Sequence, residues 1–473
     1  MSSPKENSVS THVARLTPLA AAVSLALYGA ANAATVLPNQ LPDKGQVVGA
    51  SSVLGGIDHS GTHFDNDGGH AVIRMTPGNT VIQWGNGNLK TDGLGVLNPA
   101  GIGGFNVGSK ATVDFTTQGI LSRSNVLNID VSGNPSQILG TLKSFDHKVN
   151  LAVANGNGIL VGPGATIAMP KVEFIGADIG SDQQAEFVAG KLMHYNFTGP
   201  VDVTVDGNFG KLLKTEYLLV AGAGNVNVTL SQGAKPENID VAAGFSFVKQ
   251  PFHAFPVATP GQAAVSSVVT LNLLPAGNVP HNPTDTPFGL VSGENLSAMS
   301  YGDIVIGAPS VVGGFFTGTW EWTGNLINNG TIDSKIDGIL NPGVTGKVKQ
   351  FLGADGNPLL FGGLVNNGSL TDESILNTAY ALPGSIVNTG TLISGEHVVS
   401  ITAGQNFDNS GSFLPLSQGM LGMVEAGNDF TNSGTLTSRA TVGPLASTSL
   451  RAGHDFSNTS TLEVPGHLEV QAG

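Results

Sequence analysis

Six copies of one short pattern limit the fold of this chain more than any other feature of its sequence. Each copy reads apolar, any residue, Asn, then Asn, Ser or Thr, then Gly (Ser in the last copy), Ser or Thr, and apolar. The copies are LINNGTI (326–332), LVNNGSL (364–370), IVNTGTL (386–392), FDNSGSF (407–413), FTNSGTL (430–436) and FSNTSTL (456–462). Their Asn recurs after 38, 22, 21, 23 and 26 residues, so one structural unit is repeated.

A single copy cannot bury its apolar side chains, whereas a stack of copies can. Two short strands flank an Asn-x-Gly corner, where positive φ costs glycine little. In a stack, each strand pairs with the same strand of the next coil, and the corner asparagines can form a ladder. The period suits a coil with three short faces. The sequence therefore predicts an all-β fold, a right-handed parallel β-helix.

The composition favours strands and excludes some ligands. The chain has 66 Gly and only 11% charged residues, and each glycine inside a helix costs about 1 kcal/mol. The net charge of −14 argues against nucleic acid or an anionic membrane as a ligand, because both need a basic face. The sequence contains no Cys, so no disulfide framework supports the fold.

The N-terminus has the order of a secretory signal. Lys5 and Arg15 precede a short apolar run, Leu19 to Leu27, and Ala31-Asn32-Ala33 follows. This order predicts a signal peptide over residues 1–33. The apolar run is too short to span a membrane, and no later segment is long or apolar enough either. We therefore expect an exported protein with no transmembrane segment.

Three segments follow one another between the signal and the repeats. They are FNVGSKATVDF (105–115), SRSNVLNIDVSGNPSQILGTL (122–142) and VNLAVANGNGILVGPGATI (149–167). Their order resembles the N-terminal secretion domain of the filamentous haemagglutinin family, also called the haemagglutination activity domain. The members of that family are the exported partners in two-partner secretion.

Two motifs carry the resemblance, and each is quoted as it stands in this chain. The segment starting Asn134-Pro135-Ser136 matches the family's Pro-Ser-x-(Ile/Leu)-x-Gly-x-Leu motif. Asn155 to Ile159 matches its Asn-Pro-Asn-Gly-Ile motif, with glycine in place of proline. A second departure is an insertion that separates Trp84 from Phe105-Asn106, elements that are adjacent in the family.

The resemblance implies a site, a partner and a role. The residues implied as the transporter-recognition and secretion motif are Asn134, Pro135, Ser136, Asn155, Gly156, Asn157, Gly158 and Ile159. The implied partner is an outer-membrane two-partner-secretion transporter. The exported protein would bind a host or bacterial cell surface, or a glycan, and would need no cofactor.

The glycines at 156–164 also allow a phosphate-binding loop. Such a loop leads into a helix and usually carries a lysine. Here the following residues, ILVGPGATIAM, continue as strand and turn. We therefore interpret these glycines as corners of the β-helix.

The densest group of polar residues is IDHSGTHFDNDGGHAV (57–72). Asp65-Asn66-Asp67-Gly68 resembles the start of a calcium loop, but the later acidic ligands are missing. We interpret the stretch as a solvated turn and expect no metal there. Its weak candidate ligands are His59, His63, Asp65, Asp67 and His70.

Two other functions stay open beside an adhesin or extracellular fibre. Many β-helices degrade polysaccharides, but such sites need paired carboxylates or a cation beside a base, and the acidic residues here are scattered. We therefore expect no catalytic residues. A self-stacking filament subunit is the other alternative, since an uncapped last coil presents strand edges that invite end-to-end association.

The sequence also predicts domain boundaries. The signal peptide would be followed by a secretion-type β-helix domain over 34–200 and an irregular continuation with Pro-rich loops over 201–290. A β-helix of about 22-residue Asn-x-Gly repeats would fill 291–473.

Overall fold

The structure is a computed structural model. It describes residues 36–51, 55–65, 68–97, 101–117, 122–197, 199–209, 214–231, 236–253, 257–259, 265–274, 295–308, 310–314, 320–334, 362–372, 378–394, 398–415, 420–438, 447–464 and 466–473. The predicted signal peptide lies outside these residues. Within them, only two short helices accompany the strands, α1 (Leu89–Asp92) and α2 (Ser181–Val188).

Short strands follow one another along the whole described chain. Up to residue 274 they are β1 (Gln46–Ala50), β2 (His63–Asp65), β3 (His70–Arg74), β4 (Gly78–Trp84), β5 (Thr112–Thr116), β6 (Ser124–Asp130), β7 (Ser136–Ile138), β8 (Thr141–Lys143), β9 (Val149–Ala154), β10 (Ile159–Val161), β11 (Thr166–Ala168), β12 (Lys171–Gly176), β13 (Met193–Tyr195), β14 (Val203–Val205), β15 (Asn208–Phe209), β16 (Tyr217–Gly222), β17 (Val226–Ser231), β18 (Asn238–Ala243), β19 (Phe247–Lys249), β20 (Val257–Ala258) and β21 (Ser267–Leu274).

The strands after residue 294 are shorter on average and more regularly spaced. They are β22 (Asn295–Ser300), β23 (Gly302–Ile306), β24 (Val311–Gly314), β25 (Trp320–Trp322), β26 (Asn325–Asn328), β27 (Thr331–Ser334), β28 (Gly363–Asn366), β29 (Ser369–Asp372), β30 (Thr378–Leu382), β31 (Ile386–Asn388), β32 (Thr391–Ser394), β33 (Val398–Ala403), β34 (Phe407–Asn409), β35 (Ser412–Pro415), β36 (Met420–Ala426), β37 (Phe430–Asn432), β38 (Thr435–Thr437), β39 (Ser447–Ala452), β40 (Phe456–Asn458), β41 (Leu462–Glu463) and β42 (His467–Ala472).

Successive strands turn through three faces and pair with strands of the neighbouring coils. The first face is a nine-stranded sheet, β1-β4-β6-β9-β12-β16-β18-β22-β25, and then a five-stranded sheet, β30-β33-β36-β39-β42. The second face is a twelve-stranded sheet from β7 to β40. The third face is a six-stranded sheet from β2 to β15 and a seven-stranded sheet from β24 to β41. The predicted all-β parallel β-helix is confirmed.

Within each face the strands of successive coils run parallel, and equivalent residues of these coils lie side by side. On the first face Val126, Leu151, Val172, Leu218 and Ile239 stand in one register column, and each is at most 1% exposed. Burying such a side chain stabilises the fold by about 1.5–3 kcal/mol. The column therefore supplies the coil-to-coil cohesion that a single coil lacks.

The first strands run against the stack. β1 pairs antiparallel with β4, and β2 pairs antiparallel with β3, whereas the rungs that follow on both faces are parallel. The two antiparallel strands thus cover the edges of the first parallel rungs.

The six repeats are strand–corner–strand units, as their sequence predicts. Their asparagines lie in register and form a ladder from coil to coil, which is buried in every coil except the last. Each Nδ2 donates to the Oδ1 of the next asparagine, over 2.8, 2.8, 2.7, 2.7 and 2.6 Å along Asn328, Asn366, Asn388, Asn409, Asn432 and Asn458. The first four amides also donate to a backbone oxygen of the next coil, over 3.0, 2.9, 3.2 and 3.1 Å.

The corner glycines are needed for a different reason from the predicted one. None of Gly330, Gly368, Gly390, Gly411 and Gly434 has a positive φ. A Cβ on any of them would instead overlap a backbone carbonyl oxygen of the preceding coil. The prediction of positive φ at these corners is wrong, because close stacking excludes the side chain before the local backbone does.

The outer side of the first face carries a second core. Helix α2 and a three-stranded antiparallel sheet, β13-β19-β20, cover it. Phe187, Tyr195, Phe247 and Phe252 are at most 2% exposed in this layer. The described part of the Pro-rich stretch 248–262 contributes to strands β19 and β20 of this layer. Residues 275–294, which include the end of the region where the sequence predicts Pro-rich loops, lie outside the described residues.

Candidate functional site

The structure brings the two predicted motifs together through one buried side chain. Asn155 stands at the end of β9 and is fully buried. Its Nδ2 donates to the Asn134 backbone oxygen over 2.8 Å and to the Ser136 Oγ over 3.0 Å. Its Oδ1 accepts a 2.7 Å bond from the Asn157 amide. Asn155 therefore ties the Asn-Gly-Asn-Gly corner to the Asn-Pro-Ser corner one coil earlier.

A carboxylate absent from the predicted motif completes this connection. Asp130 ends β6, and its Oδ2 accepts bonds from the Ser136 Oγ over 2.7 Å and the Phe105 amide over 2.8 Å. Its Oδ1 accepts the Ser132 amide over 3.0 Å. The signal available in the sequence was the Asp-Val-Ser-Gly order, since aspartate often accepts from the amide two residues on.

The separated Trp and Phe-Asn elements meet in space. The rings of Trp84 and Phe105 lie 5.4 Å apart between centroids, and both side chains are fully buried. Asn106 Oδ1 accepts the Gln137 amide over 2.8 Å. Trp84 Nε1 donates to Asn128 Oδ1 over 2.7 Å. The insertion between the two elements therefore does not prevent them from packing together.

One position of this corner requires glycine, and at a second a side chain would have to displace the exposed carboxylate of Asp178. Gly158 has φ +105°, where other residues are strained. A Cβ on Gly156, which stands where the family has proline, would overlap the Asp178 carboxylate. Gly156, Gly158, Gly162 and Gly164 thus lie at turns of the β-helix and not in a phosphate-binding loop, because strands β10 and β11 follow where such a loop would lead into a helix.

Burial divides the motif into an inner and an outer part. Ser136, Asn155, Gly158 and Ile159 are buried, Asn134, Pro135 and Gly156 are half-buried, and Asn157 is exposed. The buried side chains of Ser136 and Asn155 hydrogen-bond to each other. The buried part of the motif therefore links two successive coils by hydrogen bonds.

The weak metal candidates form no cluster in the described residues. His63 and His70 lie across the β2–β3 hairpin with ring centroids 6.0 Å apart, edge to face. Asp65 Oδ1 accepts the Gly68 amide over 3.0 Å. Within the described part of the chain no group of three or more His, Asp or Glu could hold a metal ion. Asp67 lies outside it.

A buried ionic cluster joins the first face to its antiparallel cover. Lys249 on β19 contacts the Glu173 carboxylate on β12 at 2.6 Å, and both side chains are fully buried. Glu173 Oε1 also accepts the Phe252 amide over 2.7 Å. Nearby, the Tyr217 hydroxyl donates to Asp240 Oδ2 over 2.7 Å. The sequence offered no signal for this pairing, since Glu173 and Lys249 are 76 residues apart.

Asp240 makes the stability of this cluster depend on pH. Burial raises the pKa of its carboxyl to about 6, against the lowering effects of Tyr217 and Lys249. The folded state thus holds a proton that the unfolded chain releases near its usual 3.8, so the stability it contributes is lost as pH rises through about 6. Relative to Asp240→Asn, the wild type should lose about 3 kcal/mol between about pH 4 and about pH 7. This stability difference is measured from the urea midpoints of the wild type and Asp240→Asn as a function of pH. Midpoints that change in parallel with pH in the two proteins would contradict the prediction.

Residues 103–279 match the family model of the TPS secretion domain. Among solved structures, the chain is similar to the crystal structure of the HMW1 secretion domain from Haemophilus influenzae. The two are 14% identical with a TM-score of 0.43, over 91% of this chain and 100% of that one. No curated protein matches.

The family match covers the part of the chain that holds both motifs. Residues 103–279 are a two-partner-secretion domain, which confirms the resemblance drawn from the motifs. The chain therefore contains a region that matches the secretion domain of two-partner secretion. No described helix is both long and apolar enough to cross a membrane. The domain boundaries expected at 200 and 290 remain predictions.

Proposed function

We propose that this exoprotein leaves the cell through an outer-membrane transporter partner and then acts as an adhesin or extracellular fibre. The observation that carries the proposal is Asn155, which links the two motifs of the matched domain in one buried network. In the folded domain these motifs set the join between two coils. Export and folding would therefore depend on the same residues.

The role after export is supported by the faces of the stack. The second face continues over twelve strands, so it offers a long repeated surface for contact with a cell surface or glycan. Scattered acidic residues favour binding over polysaccharide cleavage. Turnover of a polysaccharide by the purified protein would decide for the enzyme alternative.

Export is tested by expressing the chain with and without a candidate two-partner-secretion transporter. The culture medium is then assayed for folded, protease-resistant protein. Release only with the transporter supports the proposal. Release without it, or retention in the periplasm in both cases, contradicts it.

Asn155→Asp should lower the amount of exported protein about tenfold or more. The change removes both amide donors and places a second carboxylate beside the network of Asp130, and a buried unsatisfied or charged group costs about 1–3 kcal/mol or more. Asn86→Asp is the matched control, because it makes the same change on an exposed side chain outside the motif. Equal export of the two variants would sink the assignment of this motif to secretion.

A further inference from the structure

The turn that follows β19 fastens the antiparallel cover, helix α2 with β13, β19 and β20, to the first face of the stack. Phe252 in this turn has φ +61°, a left-handed conformation that costs free energy in a residue with a side chain. Its amide donates to Glu173 Oε1 over 2.7 Å, and its backbone oxygen accepts a bond from Lys171 Nζ over 3.1 Å. Two side chains of β12 therefore hold the turn in place against its backbone strain.

The Phe252 side chain closes the apolar layer between the cover and the stack. It is 1% exposed, and its ring centroid lies 6.3 Å from that of Phe187 in α2, edge to face. Tyr195 on β13 and Phe247 on β19 are also buried in this layer, with ring centroids 4.7 Å apart. The strands beneath the layer pair with one another in parallel. The cover can therefore open without breaking a rung of the stack.

Asp240 lies on β18, under the cover. Its neighbours Ile239 and Val241 belong to the inner core of the stack, so the alternation of side chains along a strand points Asp240 outward. Its Oδ2 accepts the Tyr217 hydroxyl over 2.7 Å. Lys249 Nζ, from the cover, lies 4.9 Å from the centroid of the Tyr217 ring. The Asp240 carboxyl is buried, and opening of the cover would return it to water.

Groups on the neighbouring elements act on this carboxyl. Burial raises the pKa of Asp240, and Glu173 on β12 raises it further. Tyr217 on β16, Lys249 on β19 and Ser297 on β22 lower its pKa. The raising effects are the larger, so the closed layer favours the protonated carboxyl. An ionised Asp240 would add a second carboxylate to a buried layer in which Lys249 is already paired with Glu173.

His253 ends the turn and titrates in the opposite sense. Burial, followed by the charge of Lys171, lowers the pKa of its imidazole. Protonation of His253 therefore weakens the closed state as the pH falls. Burial raises the pKa of the Tyr195 and Tyr217 hydroxyls well above the usual value, so both stay neutral. Since Asp240 and His253 act in opposite directions, a variant at one of them separates their effects.

We propose that the cover is a pH-sensitive lid, which is fastened at Phe252 and opens more often when Asp240 has lost its proton. Opening lets water reach a carboxylate that the closed layer does not hydrate. The lid is therefore held more tightly in mildly acidic surroundings and more loosely at neutral pH. Its opening exposes an apolar surface that includes Phe187 and Phe247.

Hydrogen exchange of the folded full chain at about pH 5 and about pH 7, corrected for the intrinsic exchange rate, tests the lid. The cover is followed at residues 247–249 and the stack at β9 (Val149–Ala154). The pKa of Asp240 is about 6 in the closed protein, against its usual value of 3.8. The ratio of the wild-type opening constant to that of Asp240→Asn should therefore rise about tenfold between the two pH values. Asp408→Asn, a half-buried change outside the cover, should behave as the wild type does.

The outcomes decide for or against the lid. A ratio that does not change with pH overturns it. Equal exchange of the cover and of β9 also overturns it, because the chain then opens as a whole, whereas we expect the cover to exchange at least about tenfold faster. If Asp240→Asn does not fold, His253→Gln is measured instead. That variant lacks the opposing group, so its cover should open about tenfold more at the higher pH, and a flat profile overturns the proposal.

Discussion

Replacing Lys249 by methionine should lower the free energy of unfolding by about 3–5 kcal/mol, because it leaves a buried carboxylate without its counter-ion. Glu173 is fully buried, and its Oε2 has no hydrogen-bond partner even with Lys249 present. The loss should be largest in the antiparallel cover, where hydrogen exchange of residues 247–249 would accelerate. Urea denaturation of the full chain and hydrogen exchange measure the two effects.

The matched control removes both charges. In Glu173→Gln with Lys249→Met, the glutamine Oε1 can still accept the Phe252 amide while neither charge of the pair remains. Replacing a whole buried pair is often neutral, so most of the lost stability should return. A Lys249→Met variant as stable as the wild type would show that the pair does not hold the cover.

Asn409→Asp should lower the free energy of unfolding by about 3 kcal/mol or more. The amide of Asn409 donates to Asn432 Oδ1 over 2.7 Å and to the Thr435 backbone oxygen over 3.1 Å. A carboxylate cannot donate there and would face two acceptors in a buried column, which costs at least the desolvation penalty of an unpaired charged group. Urea midpoints give the size of the effect, and hydrogen exchange at β34 and β37 gives its place.

Asp408→Asn provides the comparison for that variant. Asp408 precedes Asn409 on β34 and is half-buried, outside the asparagine column. A surface change of this kind usually alters stability by less than about 0.5 kcal/mol. If the two variants lost equal stability, the ladder would contribute nothing specific.

The repeated part of the fold could be predicted because nearly every coil carries the same Asn-x-Gly sequence pattern. The corner asparagines recur in the sequence, so their ladder follows from stacking alone. The reason for the corner glycines could not be predicted in the same way. A side chain on Gly390 would overlap the Gly368 backbone oxygen of the preceding coil. The sequence around Gly390 gives no information on how closely two coils approach.

The site was predicted in part for a related reason. Asn155 and Ser136 belong to motifs that a family resemblance can locate. Asp130 lies between those motifs and joins them to Phe105, but a single acidic residue at a strand end has many ordinary uses. The pairing of Glu173 with Lys249 depends on how an excursion folds back over 76 residues, and periodicity carries no information about such an excursion.

The unequal spacing of the repeats has a consequence for engineering. The step from Asn328 to Asn366 is 38 residues and the step from Asn388 to Asn409 is 21, yet the ladder bonds are 2.8 and 2.7 Å. Additional residues between the end of β27 and the start of β28 therefore do not change the hydrogen bonds of the asparagine ladder. The same junction in other coils, such as the one after β32, is where a foreign peptide could be displayed without disturbing the scaffold.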